Sequence, residues 1–310
     1  VTTAFDNVDT SSKPTDLPTD KSAQAWVNFI NSHRTEVAGN NVNAGSVLDM
    51  IAKSLESQAW TDAMSGTTGT FEGIDAGYWL FETKSVGATT GADGNKDAYT
   101  SPIFAVVGGE DVKVEPKKNV PNVTKAVRDD AIGSSFGDFT NPNKAADSGM
   151  DQFIDYQLTG TVASNINTYG EYYYEFKDEL PGTMSAELID GTEKPKVTVK
   201  INGDEVTSGY DATYENNVLK VVFTNLKACM CSSGSVTFNA ETKVTVEYKA
   251  KLDSSKIFED GVMKPVFQGL VGIPQKNKVT LTYSNNPHTT EHGTTVEHPA
   301  YDYTYGIDVT

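Results

Sequence analysis

Three short strings in this sequence each set one polar, reactive side chain into an apolar rhythm. Val120-Pro121-Asn122-Val123-Thr124-Lys125 opens one run, and Tyr174-Glu175-Phe176-Lys177-Asp178-Glu179-Leu180-Pro181 is a second. The third is Asn277-Lys278-Val279-Thr280-Leu281-Thr282-Tyr283-Ser284-Asn285-Asn286-Pro287. In a strand, alternate residues share a face. Lys125 is therefore in phase with Val123, Asp178 with Phe176, and Asn277 with Val279, Leu281 and Tyr283. The rhythm turns an amine, a carboxyl and an amide toward one interior. An unpaired buried charge is costly, so the three are expected to meet. By residue type alone, that meeting is a buried salt bridge beside an amide. Glu175, Lys177 and Glu179 alternate onto the opposite face and drop out.

The elements that would hold these groups fall into two stretches. In the first, Ala23, Trp26, Val27 and Ile30 recur at helical spacing, as do Val47, Leu48, Ile51, Ala52 and Leu55. Ala59 and Trp60 extend the second helix. The period then changes to two over Tyr78–Thr83, and an apolar run follows at Ile103–Val107. From Lys117 onward the chain reads as strands. The runs are Val120–Val127, Phe153–Val162, Tyr172–Asp178, Val197–Ile201, Ala212–Glu215, Val218–Phe223, Ser235–Phe238, Lys243–Leu252, Lys278–Tyr283 and Tyr301–Val309. They are rich in Val, Thr and Tyr, which suit a pleated, half-buried surface. Asn202-Gly203 and Asn216-Asn217 are hairpin turn pairs. Strands in succession without helices between them indicate an antiparallel sandwich. Glu115-Pro116-Lys117-Lys118-Asn119-Val120-Pro121 breaks both periodicities and reads as an exposed connector. The expected organisation is a mainly β chain, with a small α+β domain over residues 1–117 and a β-sandwich domain over 118–310.

Charge narrows the function. Twenty-five basic and 42 acidic residues in 310 leave a net charge of −17. Such a chain repels polyphosphate and anionic lipid, so neither nucleic acid nor a polybasic membrane tether is expected. No apolar run approaches the ~20 residues that a bilayer helix needs. Cys229 and Cys231, the two cysteines, are too few for a disulfide scaffold. No Gly-rich phosphate loop is present.

Together the three strings resemble the middle domain of the major pilins of Gram-positive bacteria, the shaft subunits that sortases assemble. That family carries P-x-V-x-K on a first strand, Tyr-x-Phe-x-Asp-x-Leu on a later one, and N-x-V-x-L-x-Y-S-N-N-P near the end. The likeness extends to Asp155-Tyr156-Gln157-Leu158-Thr159-Gly160-Thr161 and to Lys243–Leu252. The resemblance implies a collagen-adhesin-type, Ig-like sandwich with an internal Lys–Asn isopeptide bond. It makes Lys125 the nucleophile, Asn277 the electrophilic amide and Asp178 the catalytic acid. Desolvation lowers a lysine's pKa and raises an aspartic acid's. A neutral amine can then attack an amide polarised by a protonated carboxyl, with ammonia leaving. The reaction happens once and needs no cofactor, so the chain is not expected to be a turnover enzyme.

The connector string Val112-Lys113-Val114-Glu115-Pro116-Lys117 resembles the pilin motif V-x-V-Y-P-K, with Glu115 where the family has Tyr. It marks Lys117 as the sortase acceptor, with Lys118 as the fallback. Gly77-Tyr78-Trp79-Leu80-Phe81-Glu82-Thr83 resembles the family's E-box. The last strand of the first domain has no Asn, so no crosslink is expected there and Glu82 is read as structural. The expected partners are neighbouring copies of the same pilin and a pilin sortase, on a cell-wall-anchored extracellular pilus. The alternative is a surface adhesin that binds a host ligand. The chain reads as a two-domain fragment of such a protein.

The remaining candidates are weaker. Cys229-Met230-Cys231 lacks the second pair that a zinc site needs, and is read as loop thiols. His288, His292 and His298 share a polar loop, Pro287–Pro299, and are read as solvated. No metal is expected. Acidic residues abound, but none forms a recognisable hydrolase pair.

Overall fold

The computed structural model describes residues 17–20, 22–33, 37–38, 41–42, 45–55, 73, 75–81, 103–107, 120–269, 272–287 and 290–304. The domain boundary read at residue 117, the acceptor candidates Lys117 and Lys118, and Glu82 lie outside the described residues, as do Ala59, Trp60 and the end of the last expected strand.

Helix α1 (Ala23–Ser32) begins where Ser22 holds extended backbone and its hydroxyl accepts the Ala25 N–H. That contact satisfies a donor which the first turn otherwise leaves open. Helix α2 (Val47–Leu55) starts by a related device. Ser46 Oγ accepts the Asp49 N–H at 3.2 Å, while the Asp49 carboxylate accepts the Gly45 N–H at 2.8 Å. Trp26, Phe29, Ile30, Val42, Leu48 and Ile51 make one small apolar cluster. Strands β1 (Val37–Ala38) and β2 (Asn41–Val42) pair with each other, as do β3 (Gly77–Phe81) and β4 (Ile103–Val107).

The rest is strand. In chain order come β5 (Val123–Arg128), β6 (Ala145–Asp147), β7 (Ile154–Thr161), β8 (Tyr174–Glu179), β9 (Met184–Ala186), β10 (Val197–Ile201) and β11 (Asp204–Ser208). Then follow β12 (Asp211–Glu215), β13 (Val218–Phe223), β14 (Met230–Cys231), β15 (Gly234–Ser235), β16 (Lys243–Leu252), β17 (Phe258–Glu259), β18 (Val262–Met263), β19 (Gln275–Ser284), β20 (His292–Thr294) and β21 (His298–Tyr303).

They build two sheets. One has eight strands in the order β15-β14-β11-β10-β16-β7-β5, with β9 also on β16. The other has seven in the order β12-β13-β8-β19-β21-β6, with β20 also on β19. Within these sheets pairing is antiparallel except between β21 and β6. Burial alternates strictly along β7 and β8, and along β16 from Val244 to Leu252. The inward residues include Val199, Val246, Leu158, Phe176, Val221, Val279 and Leu281, all fully buried. Each such side chain removed from water contributes roughly 1.5–3 kcal/mol. The chain is mainly β, with the core between the sheets.

Turn chemistry fixes the registers. Asn202 and Gly203 take φ of 51° and 89° between β10 and β11, and Asn216 and Asn217 take 51° and 62° between β12 and β13. Two successive positive φ values match the twist of a two-residue hairpin. Asp260-Gly261 turns β17 into β18 in the same way, a signal passed over in the sequence. Gly160 in β7 has a second role. A Cβ there would clash with the Tyr174 hydroxyl, so its bareness lets Tyr174 cross the interior and donate to the Thr161 carbonyl at 2.8 Å.

Two expectations are corrected, and one strand was not read at all. Asp204–Ser208 forms a strand despite its polar run, with Val206 its one buried residue. The strand expected over Ser235–Phe238 ends at Ser235. Phe238 is buried from a loop, where its carbonyl accepts from Asn167 Nδ2. The stretch Pro287–Pro299, read as a loop, contains β20 and the start of β21.

Candidate functional site

The two sheets supply the three polar groups from different strands. Lys125 is on β5, the edge strand of its sheet. Asp178 is on β8 and Asn277 on the adjacent β19, in the opposite sheet; Asp178 pairs with Val279 in register. All three side chains are fully buried. A lysine can occupy this interior because the strand rhythm leaves it no other direction. Val123 and Val127, on the same face of β5, are anchored in the core.

The Lys125 Nζ donates to Asp178 Oδ1 at 2.5 Å and to the Tyr248 hydroxyl at 2.9 Å. The Tyr248 hydroxyl donates to Asp178 Oδ2. Asn277 Nδ2 donates to the same hydroxyl at 2.7 Å. The amine and the amide nitrogen therefore share one oxygen as neighbour, and the carboxyl touches both amine and hydroxyl. Asn277 Oδ1 is buried without a hydrogen-bond partner. An unmet amide oxygen in a dry site is costly. It is also the atom on which negative charge develops when an amide is attacked.

Aromatic rings close the site. Tyr156 and Tyr248 stack with centroids 5.4 Å apart at 15°. Lys125 Nζ lies 5.0 Å from the Tyr156 ring centre and 5.3 Å from that of Tyr248. The rings exclude water while still attracting a cation. Burial dominates the electrostatics. It pulls the Lys125 ammonium down to about 8, against the opposing pull of Asp178. It holds the Asp178 carboxyl above its ordinary range, despite Lys125 and the Tyr248 hydrogen bond. Both shifts lower the cost of passing a proton from amine to acid.

The structure thus brings Lys125, Asp178 and Asn277 together. Tyr248 and Tyr156 were missed as site residues. The signal was available: Tyr248 is the one hydroxyl in phase with Val244, Val246, Ala250 and Leu252 on the buried face of β16. Tyr156 lies likewise between Ile154 and Leu158 on β7.

The other candidates separate from this centre. Cys229 and Cys231 are buried, not loop thiols in water; desolvation pushes Cys229 up to about 11 and raises Cys231, so both are poor nucleophiles. His292 stacks on Tyr173 at 4.3 Å, and His288 lies outside the described residues. Among the described residues, no group of three or more His, Cys, Asp or Glu is arranged to hold a metal, and no helix is long and apolar enough to cross a membrane.

No protein-family pattern and no curated protein matches the sequence. Among solved structures, the T6 backbone pilin of serotype M6 Streptococcus pyogenes is similar with a TM-score of 0.48 at 15% identity, over 86% of this chain and 56% of that one. The major pilin subunit BcpA of Bacillus cereus gives 0.43 at 14%, over 73% and 63%. The C-terminal fragment of the major pilin GBS80 of Streptococcus agalactiae gives 0.39 at 13%, over 59% and 56%. This chain therefore spans 56–63% of the length of these structures. No residue role follows from likenesses this shallow.

Proposed function

We propose that this chain is a structural subunit of a surface pilus, and that Lys125 and Asn277 fuse through an isopeptide bond that Asp178 promotes. One observation carries the reading. Amine, carboxyl and amide meet fully buried between two sheets, around a single hydroxyl. A plain salt bridge is a poor reason to bury a lysine, since such pairs rarely repay their desolvation. A covalent product removes the amine's charge and merges amine and amide into one neutral isopeptide group.

The chemistry starts from the neutral pair. Asp178 takes a proton from the Lys125 ammonium through Oδ1, and the free amine attacks Asn277 Cγ. The protonated acid no longer repels the negative charge that develops on Asn277 Oδ1 and can donate a hydrogen bond as that charge forms. The Cγ–Nδ2 bond breaks and ammonia departs. No cofactor takes part, and the event happens once per chain. The bond would join residues 152 positions apart, tying the edge strand of one sheet to an inner strand of the other. Pulling on the ends would then load a covalent path that cannot be reduced.

The intact mass of the denatured protein tests this reading. The expected mass is one ammonia below that of the sequence, and a full sequence mass overturns the reading. Polymerisation is the second part of the proposal: Lys117 accepts the sortase-bound end of the next copy, giving an extracellular, wall-anchored polymer. It is supported by the Val112–Lys117 string alone. With a pilin sortase, Lys117→Ala should abolish the ladder of linked subunits. A ladder that persists unchanged removes the assignment to Lys117 and passes it to Lys118, whereas a native chain that forms no ladder favours the adhesin alternative.

A further inference from the structure

Asp178 contacts the amine on one oxygen, but the nitrogen that must leave is in contact with a different residue. Asn277 Nδ2 lies 2.7 Å from the Tyr248 hydroxyl, and Lys125 Nζ lies 2.9 Å from that same oxygen. The hydroxyl also donates to Asp178 Oδ2. Amide exchange has one obligatory proton problem. The attacking nitrogen must lose a proton, and the departing nitrogen must gain one before it can leave as ammonia. The site is dry, so water is not at hand to do this. One hydroxyl touching both nitrogens is the shortest route.

We infer that Tyr248 is a catalytic residue of the isopeptide reaction, relaying a proton from the attacking nitrogen to the leaving nitrogen. The inference rests on the isopeptide reading. The step balances as follows. After attack, Nζ carries two protons and a formal positive charge, and Cγ is tetrahedral. One Nζ proton passes to the Tyr248 oxygen while the Tyr248 hydroxyl, turned away from Asp178 Oδ2, passes its own proton to Nδ2, which now has a free electron pair. The Cγ–Nδ2 bond breaks, ammonia leaves and the carbonyl re-forms. Tyr248 ends neutral, as it began. Asp178 keeps the proton it took from the ammonium.

One structural fact fits a relay better than simple packing. The ring is already held by its stack on Tyr156, so the hydroxyl is not needed for position. Burial and the charge of Asp178 also hold the phenol well above its usual range. That suits a group that exchanges protons without becoming a phenolate.

The test uses the full 310-residue chain, made by cell-free synthesis and sampled by intact mass as it folds. Tyr248→Phe keeps the ring and removes the relay. Ammonia loss should slow at least ~100-fold, the usual scale for a positioned acid–base group, in a chain whose far-UV circular dichroism is native. Folded Tyr248→Phe reacting at the native rate overturns the relay while leaving the isopeptide reading intact. To separate chemistry from structure, fluorinated tyrosines placed at position 248 vary the acidity of the hydroxyl at nearly constant shape. The rate should follow that acidity, and it should show a solvent deuterium effect that Tyr248→Phe loses. A rate indifferent to the series overturns the relay, even if Tyr248→Phe fails to fold. Native protein that never loses ammonia overturns both readings.

Discussion

The inner and outer faces of the same strands carry the same residue types and give them opposite fates. On β8, Asp178 faces inward and its neighbour Glu179 outward. Burial raises the first carboxyl; hydrogen bonds from Lys177 and Lys278 lower the second. On β19, Asn277 faces inward while Lys278 reaches Glu179 at 3.1 Å and Glu297 at 2.5 Å. On β16, Tyr248 is inward, and Glu247 meets Lys200 at 2.8 Å outside. A shift of one residue along a strand therefore decides between a solvated ion pair and the buried pair for which the isopeptide reaction is proposed. Hydration, not residue type, is the difference. In water both members stay charged and inert. In the dry interior burial opposes both charges, and on the proposed reading the amine becomes a nucleophile.

The largest test of that contrast removes the inner amine. Lys125→Ala should retain the full sequence mass. Closing a loop of this length is worth on the order of 5 kcal/mol by analogy with disulfides. The thermal midpoint should then fall by roughly 10–20 °C, at 2–4 °C per kcal/mol. An unchanged midpoint would show that the inner face holds no covalent tie. A sharper version moves the acid by one residue. Asp178→Asn combined with Lys177→Asp supplies a carboxyl on the outer face only, and should also lose no ammonia. If that chain reacts, the face is not what matters.

How much of this contrast was legible depended on the residue. Strict alternation placed Lys125, Asp178 and Asn277 inward, because a two-residue period admits no other solution once their neighbours are buried. It equally excluded Glu175, Lys177 and Glu179. The long inner strands β13 and β16 were read to the residue for the same reason. Short edge pieces such as β14, β18 and β20 have too few residues to show a period, and their pairing comes from the strand beside them. Tyr248 was hidden differently. A tyrosine on an apolar face looks like core, and only the convergence of four strands shows what its hydroxyl touches. The burial of the cysteines also went unread, since Cys231 is buried through pairing of β14 with β11.

A smaller effect concerns a second inward acid. Asp302 on β21 is fully buried, accepts from Ser148 Oγ at 2.7 Å, and has Asp147 and Asp129 nearby. Desolvation raises it from 3.8 to about 6. The folded state therefore holds this proton more tightly than the unfolded chain. Its contribution is complete below pH ~4 and is lost as pH rises through ~6, on the order of 3 kcal/mol in all. Asp302→Asn should flatten that part of the stability curve, as read by urea denaturation at pH 4.5 and 7.5. A native protein equally stable at both, with the variant tracking it, would contradict the assignment.

The smallest effect belongs to the outer face. Glu179→Gln breaks the contacts to Lys177 and Lys278. It should cost less than ~1 kcal/mol, fade further in salt, and leave ammonia loss untouched. A larger cost would mean that the outer network is not the inert counterpart it is taken to be.

Digestion of the denatured native chain, followed by mass spectrometry of the fragments, tests the central claim most directly. The account requires one branched fragment in which the peptide holding Lys125 and the peptide holding Asn277 travel together, lighter by one ammonia than the two combined. Recovering both as separate linear peptides at their full masses would contradict it.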